Sequence, residues 1–241
     1  VNEDPAQHAA HAEPHGNVPG SLLNWLRAGV LGANDGVVST AGLVVGVAGA
    51  TTSVSAILTA GVAGLLSGAI SMAAGEYVSV SSQRDAERAM LSQERRELEE
   101  EPQAELVELT EHYRAKGLSE PLAREVAEQL TRHDALGTHA ETELGIVPGE
   151  LTNPWHAALA SFLAFTVGAA LPLLAIVLTP ASVRVPVTAA AVVLTLTVTG
   201  SVSARLGRAP VPRAVVRNVG GGVLAMGVTY GVGTLVGQSL V

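Results

Sequence analysis

Residues 28–50, AGVLGANDGVVSTAGLVVGVAGA, decide the fold: the stretch holds no Lys, Arg or Pro and one ionisable group, Asp35. At about 1.5 Å of rise per residue, about 20 apolar residues cross a hydrocarbon core about 30 Å thick, so the run is long enough to span a membrane. A carboxylate within such a helix is expensive and faces a partner, an ion or water. The plainer reading has Asp35 near one end of the span, reaching the interface. Its place eight residues into the run favours a functional role.

Composition agrees with a membrane class. The chain has 241 residues, 48% of them hydrophobic and only 15% charged, too apolar for an ordinary soluble domain. Ala, Val, Leu and Gly dominate, and small residues let transmembrane helices pack closely. Without cysteine there are no disulfides, thiolate sites or cysteine nucleophiles. The net charge of −8 is unevenly spread: residues 84–150 carry 17 acidic against 8 basic side chains, and the rest of the chain 5 against 6. A nearly neutral membrane body therefore carries one acidic insert. No nucleic-acid partner is expected of it.

Residues 1–20 are polar, carry His8, His11 and His15, lack the pattern of a signal peptide and read as a flexible tail. SLLNWLR (21–27) is an amphipathic entry with Trp25 at interface height. Thr51-Thr52-Ser53 is a tight turn, so spans one and two form a hairpin. The second run starts at Val54 and places Met72 and Glu76 one helical turn apart. No Gly or Pro interrupts it between Gly75 and Pro102, so this helix is expected to leave the membrane and continue to about Glu101. Pro102 suits the first turn of a new helix, ending at Lys116-Gly117. Ser119-Glu120-Pro121 starts the next, with Leu122, Val126 and Leu130 at four-residue spacing, and a last piece runs from about Ala135 to Leu144. Three further spans follow, about His156–Leu178 with a kink expected at Pro172, Val183–Ala204, and one ending near Gly237. In the last, Gly227/Gly231 and Gly233/Gly237 have the small-xxx-small spacing of close helix contacts.

The fold class is thus an all-α membrane protein of five transmembrane helices (residues 21–83 and 151–241), with a helical insert (84–150) between helices two and three. Arg27 and the group Arg205, Arg208, Arg213 and Arg217 fall on the insert's side, and only Arg184 on the other. The positive-inside rule then places the N-terminus and insert in the cytoplasm and the C-terminus outside.

Within the insert, Glu94, Glu97 and Glu101 recur at i, i+3 and i+7, as do Glu105, Glu108 and His112, while His139 and Glu143 are i, i+4. Carboxylates and imidazoles converging from separate helices suit a divalent first-row metal such as Fe(II) or Mn(II). An acidic insert is equally readable as a solvated surface, with Arg88, Arg95 and Arg96 pairing many of its carboxylates. Ferritin-like oxidases use Glu-x-x-His, which is absent, because leucines precede His112, His133 and His139 by three residues. Nor is there a Walker-type phosphate loop, which argues against an ATP-driven pump.

ANDGVVSTAGLVVGVAGA in span one, SMAAGEYVSVSSQRD in span two, and Glu94-x-x-Glu97, Pro102, Glu105-x-x-Glu108 and KGL in the insert resemble the vacuolar iron transporter family. NPWHAALASFLAF, Pro172 and TYGVGTLVG extend the resemblance over about residues 25–238. It implies a homodimer in the lipid bilayer with the ion path near its two-fold axis, and a cytoplasmic helical metal-binding domain. It also implies proton-coupled export of Fe(II), often with Mn(II), from the cytosol into a vacuole or, in bacteria, across the cell membrane. No prosthetic group and no enzymatic activity are implied. By motif, Asp35 and Met72 match the transmembrane metal path, with Glu76 in the same GEY segment. Glu94, Glu97, Glu105 and Glu108 match the metal-domain carboxylates, and the family's last ligand falls on Glu143. Where some members have a Met pair, this chain has His139 and Ala140, so His139 stands in for a thioether. Two other classes are compatible with the residues: a membrane-anchored metal-binding or sensing protein without transport, and a carboxylate-site iron oxidase.

Overall fold

The fold is that of a computed structural model, which describes residues 20–149 and 151–239, with side chains from residue 28. The expected tail with its three histidines, and Trp25 as an interface anchor, lie outside the described residues and side chains. Among the described residues seven α-helices follow one another: α1 Gly20–Ala50, α2 Val54–Glu100, α3 Pro102–Ala115, α4 Glu120–His139, α5 Pro154–Leu178, α6 Arg184–Leu206 and α7 Val211–Ser239. Among the described residues there is no strand. Five helices, α1, α2, α5, α6 and α7, are long and apolar enough to cross a membrane. The chain is an all-α membrane protein, with α3, α4 and the outer part of α2 beyond the spans.

α1 is the hub, touching all four other spans. It supplies Val37, Ala41, Val44 and Val45 to one buried cluster that Ile57 of α2, Leu173 and Ile176 of α5, Val192 and Leu196 of α6 and Met226 of α7 complete. The contacts are close because glycine removes the intervening side chains. A Cβ on Gly36 would strike the Phe165 carbonyl of α5, and one on Gly168 the Ala33 carbonyl of α1. On the α7 side, a Cβ on Gly233 would run into Gly46, and one on Gly237 would lie 2.8 Å from the Ala50 Cα. The Gly233/Gly237 pair therefore makes the close contact its spacing anticipates, whereas Gly227 and Gly231 face open space within the single chain.

The outer faces stay apolar, as lipid requires: Leu163, Val167, Leu171, Leu174 and Leu178 of α5 are exposed. Although Ser161 Oγ and Thr188 Oγ1 are buried without a partner, the hydroxyls of Thr166, Thr179, Thr195, Thr197, Ser201 and Thr229 each donate to the carbonyl four residues back. That removes donors that hydrocarbon could not satisfy. α5 begins on an Asn153 cap, whose Oδ1 accepts from the Trp155 N–H at 3.0 Å, and runs through the buried Pro172 as one helix.

α2 is a single helix of 47 residues, ending where the absence of breakers put its end. Only Glu101 separates it from α3. The Glu101 N–H closes α2 on the Glu97 carbonyl at 2.7 Å, and its own carbonyl opens α3 by accepting from Glu105. α3 stops at Lys116 with Gly117 at φ +101°, a left-handed C-terminal turn. Ser119 sits at the N-cap of α4 without a side-chain cap bond, and the buried face of α4 carries Ala123 and Ala127, with Leu122 exposed. The four-residue spacing thus marked a helix, with Val126 and Leu130 half-buried and Leu122 turned outward.

Substituting Gly36 by Ala should force apart the α1–α5 contact and destabilise the protein by about 1–3 kcal/mol. Gly29→Ala, where a Cβ meets nothing within 4 Å, should leave stability unchanged. Thermal unfolding of the two purified variants checks the pair, and equal midpoints would contradict the packing described.

Candidate metal centre

Three local features of the insert bring its ligands together. The corner at Glu101 folds α3 back along α2, so Glu105 faces Glu94. α4 breaks at Asp134 (φ −155°, ψ 93°), whose Oδ1 accepts from the Gly137 N–H at 2.9 Å and so caps a fresh helical start. That break matches the separate last piece expected from about Ala135. Residues 140–144 then form a π-helical turn, ended by Gly145 at φ 65° and an Ile146 N–H to Ala140 carbonyl bond of 2.9 Å. The wider turn carries Glu143 in over His139. Leu91, Ala140 and Ile146 form a small apolar core beneath the turn, and Tyr113 Oη reaches Thr142 Oγ1 at 3.4 Å from α3.

The result is a compact group of Glu94, Glu105, His139 and Glu143, one ligand atom from each lying within 4.8 Å of all the others. His139 Nδ1 is 3.1 Å from Glu94 Oε1, 3.0 Å from Glu143 Oε1 and 3.6 Å from Glu105 Oε2. His139 is 0% exposed, and Glu94 and Glu105 are buried too. Yet both nitrogens of His139, Glu94 Oε1 and Glu143 Oε1 are buried without a hydrogen bond. Buried polar atoms are almost always hydrogen-bonded, so three orphans this close, His139 Nδ1 with Glu94 Oε1 and Glu143 Oε1 within 3.1 Å of it, mark a place built for something else. One imidazole and three carboxylates form a donor set for Fe(II), Mn(II) or Zn(II), with no soft sulfur among them.

Around this group a cavity of about 390 Å³ is lined by Met90, Gln93, Glu94, Glu97, Glu105, Glu108, His112, Glu143 and Leu144. The six expected insert ligands therefore divide. Glu94, Glu105, His139 and Glu143 converge, while Glu97 and Glu108 line the cavity wall outside the tight group. Glu101, on the same helical face as Glu94 and Glu97, is exposed at the corner. His112 approaches Glu143 at 4.0 Å, as the 105–108–112 spacing could have signalled. Met90 and Gln93 were missed. Each precedes a cavity glutamate by four residues on α2, the spacing that would have revealed them.

Burial dominates the electrostatics. Desolvation, helped by neighbouring carboxylates, pushes Glu105 up to about 7 and Glu143 up to about 7. Desolvation and then Glu143 raise Glu94, and desolvation lowers His139. Among the described residues, arginines pair with Glu111 and Glu128, not with Glu94, Glu105 or Glu143. Negative charge in the group is thus left for a cation or for protons to neutralise.

In the spans, Asp35 is half-buried next to Gly36, at the α1–α5 contact, and its carbonyl accepts from Ser39 Oγ at 2.7 Å. Met72 packs on the cluster of Ala69, Phe165 and Ala169, and Glu76 lies one turn further along α2, half-buried. Phe165 stands between the two helices, with its carbonyl on Gly36 and its ring on Gly68.

The profile of the VIT family matches residues 26–234. This chain belongs to the VIT family. It is 42% identical over 229 residues to a vacuolar iron transporter of Acanthamoeba castellanii, covering 94% of this chain and 84% of that protein. It is 39% identical to vacuolar iron transporter homolog 4 of Arabidopsis thaliana, over 89% of this chain and 85% of the relative. With homolog 1 of Oryza sativa subsp. japonica the identity is 42%, over 89% and 75%.

Glu105 and Glu143 at about 7 lie above their ordinary 4.5. Between these values the folded chain holds more protons than the unfolded chain. Stability of the metal-free protein should therefore be full below pH 4.5, as far as these two groups decide it, and fall as pH rises through 7. Chelator-treated protein should unfold at lower temperature at pH 8 than at pH 5, with the gap narrowed in Glu105→Gln. At pH 7, where each group is half protonated, adding Mn(II) should release about one proton per site, read by pH-stat titration.

Proposed function

We propose that this VIT-family chain is a proton-coupled carrier that moves Fe(II), and Mn(II) with it, out of the cytosol across the membrane. The observation that carries the proposal is the buried group of Glu94, Glu105, His139 and Glu143, attached to a helix that is itself a membrane span. α2 is continuous from Val54 to Glu100, so Glu94 and Glu76 sit on one rod about 27 Å apart at 1.5 Å per residue. The insert collects the ion on its side of the membrane. Asp35, Met72 and Glu76 then offer oxygen and thioether ligands within the spans.

Proton coupling follows from the same chemistry. A 2+ ion takes the deprotonated carboxylates, so every ion entering the group expels protons and every proton returning weakens its hold. The arginines at residues 205, 208, 213 and 217, against Arg184 alone on the far side, support a cytoplasmic insert, and the membrane we assign the chain to is the cell membrane. The faces of α2 and α7 left uncovered within one chain support a homodimer, in which residues of both copies border the path.

Purified full-length protein in liposomes, given Fe(II), Mn(II), Co(II) and Zn(II) with and without a pH gradient, tests the reading. Flux of Fe(II) and Mn(II) should rise with an opposing proton gradient and fall at least tenfold in Asp35→Ala. Glu105→Gln should raise the half-saturating metal concentration more than it lowers the maximal rate. Metal binding without flux would replace this reading with a sensing role, and metal-stimulated oxygen consumption with an oxidase.

A further inference from the structure

At the end of the span bundle opposite the insert, the turn between α1 and α2 meets the start of α6. Arg184, the first residue of α6, lies between them and is only 6% exposed. Its Nη1 donates to the Thr52 carbonyl at 3.2 Å, and its Nε is buried with no hydrogen-bond partner. A buried guanidinium ordinarily has a carboxylate beside it. Here residues 36–75 and 151–239 contain no Asp or Glu at all. Asp35 is fifteen residues before Ala50, about 22 Å away along α1.

Beyond the Thr52 carbonyl, the groups around Arg184 can donate. No side chain caps the N-terminus of α6, and Pro186, its third residue, has no N–H to satisfy. The positive end of a 23-residue helix thus opens at the guanidinium. A cavity of about 300 Å³ lies against both, lined by Thr51, Thr52, Ser182, Arg184, Pro186 and Tyr230 among others. Hydroxyls, helix N–H groups and one fixed positive charge, with no carboxylate among the described residues that line the cavity, are complementary to a tetrahedral oxyanion.

We propose that this cavity is an anion site for a phosphate group, supplied either as free phosphate or as a lipid headgroup. Arg184 and the α6 N-terminus hold the oxygens, and Ser182, Thr51 and Tyr230 line the rest of the cavity. Its role, though not its existence, rests on the transporter reading. On the face where the metal ion leaves, a bound phosphate cancels a positive charge that would repel the ion. It also offers the ion oxygen ligands as it departs the spans.

The test is phosphate binding, which needs no transport and is read even if flux fails. The full-length protein, freed of metal with chelator, is placed in nanodiscs of an uncharged galactolipid and titrated with radiolabelled inorganic phosphate. Wild type should bind phosphate saturably, about one per chain, and Arg184→Gln should weaken this at least tenfold. Ser182→Glu puts a carboxylate at an exposed position beside Arg184, and should weaken binding similarly while sparing the fold if Arg184→Gln does not. Adding phosphatidic acid to the nanodisc separates the sources. Displacement of the label assigns the site to a headgroup, and retention assigns it to free phosphate. Absence of saturable binding in wild type, or wild-type binding in Ser182→Glu, overturns the proposal.

Discussion

Backbone meeting backbone along α1 is the contact on which the membrane half of this protein depends. Lipid gives helices no hydrophobic reason to associate, so their attraction comes from close packing. α1 achieves it twice, with Gly36 and Gly168 against α5 and with Gly233 and Gly237 against α7. The valines of α1 then reach a cluster drawn from all five spans. Asp35 inherits its position from this arrangement. It is held next to Gly36, at a closely packed crossing, rather than at an end of the span.

The insert solves a different problem, in water. Its charge is high and its apolar core is small, so polar groups must be brought together by backbone devices instead of bulk packing. A one-residue corner, an aspartate-capped break and a π-turn each redirect a helix by a defined amount. Together they converge three carboxylates and an imidazole, leaving atoms of Glu94, His139 and Glu143 buried without a partner. The group is therefore held at the cost of protonation, a cost that a divalent cation would relieve.

Much of this was legible in the residues. The uninterrupted stretch from Val54 to Pro102 announced the long α2, Gly117 and Gly145 announced helix ends, and the i, i+4 pair His139/Glu143 announced a shared face. The division among the glutamates was not legible. Glu94 and Glu97 have equivalent partners in Glu105 and Glu108, and only the angle at Glu101 decides that the first of each pair turns inward. Leu122 heads the four-residue spacing that marked α4 yet is exposed, while Ala123 and Ala127 are the buried residues. Arg184 read as a stray charge that happened to fix orientation, since nothing in a lone arginine reveals that two turns will close over it.

The corner at Glu101 also determines where this chain can change length. A residue added or removed between Glu94 and Glu105 rotates everything after it by about 100° around the helix axis, turning Glu105 out of the group. The connection from Gly145 to Asn153 carries none of the four converging residues and ends in a cap that re-forms wherever α5 begins. Insertions and deletions are accordingly tolerable after the last ligand and forbidden between the first two. The spacing of eleven between Glu94 and Glu105 is a mechanical dimension of the protein, as fixed as the thickness of the membrane it serves.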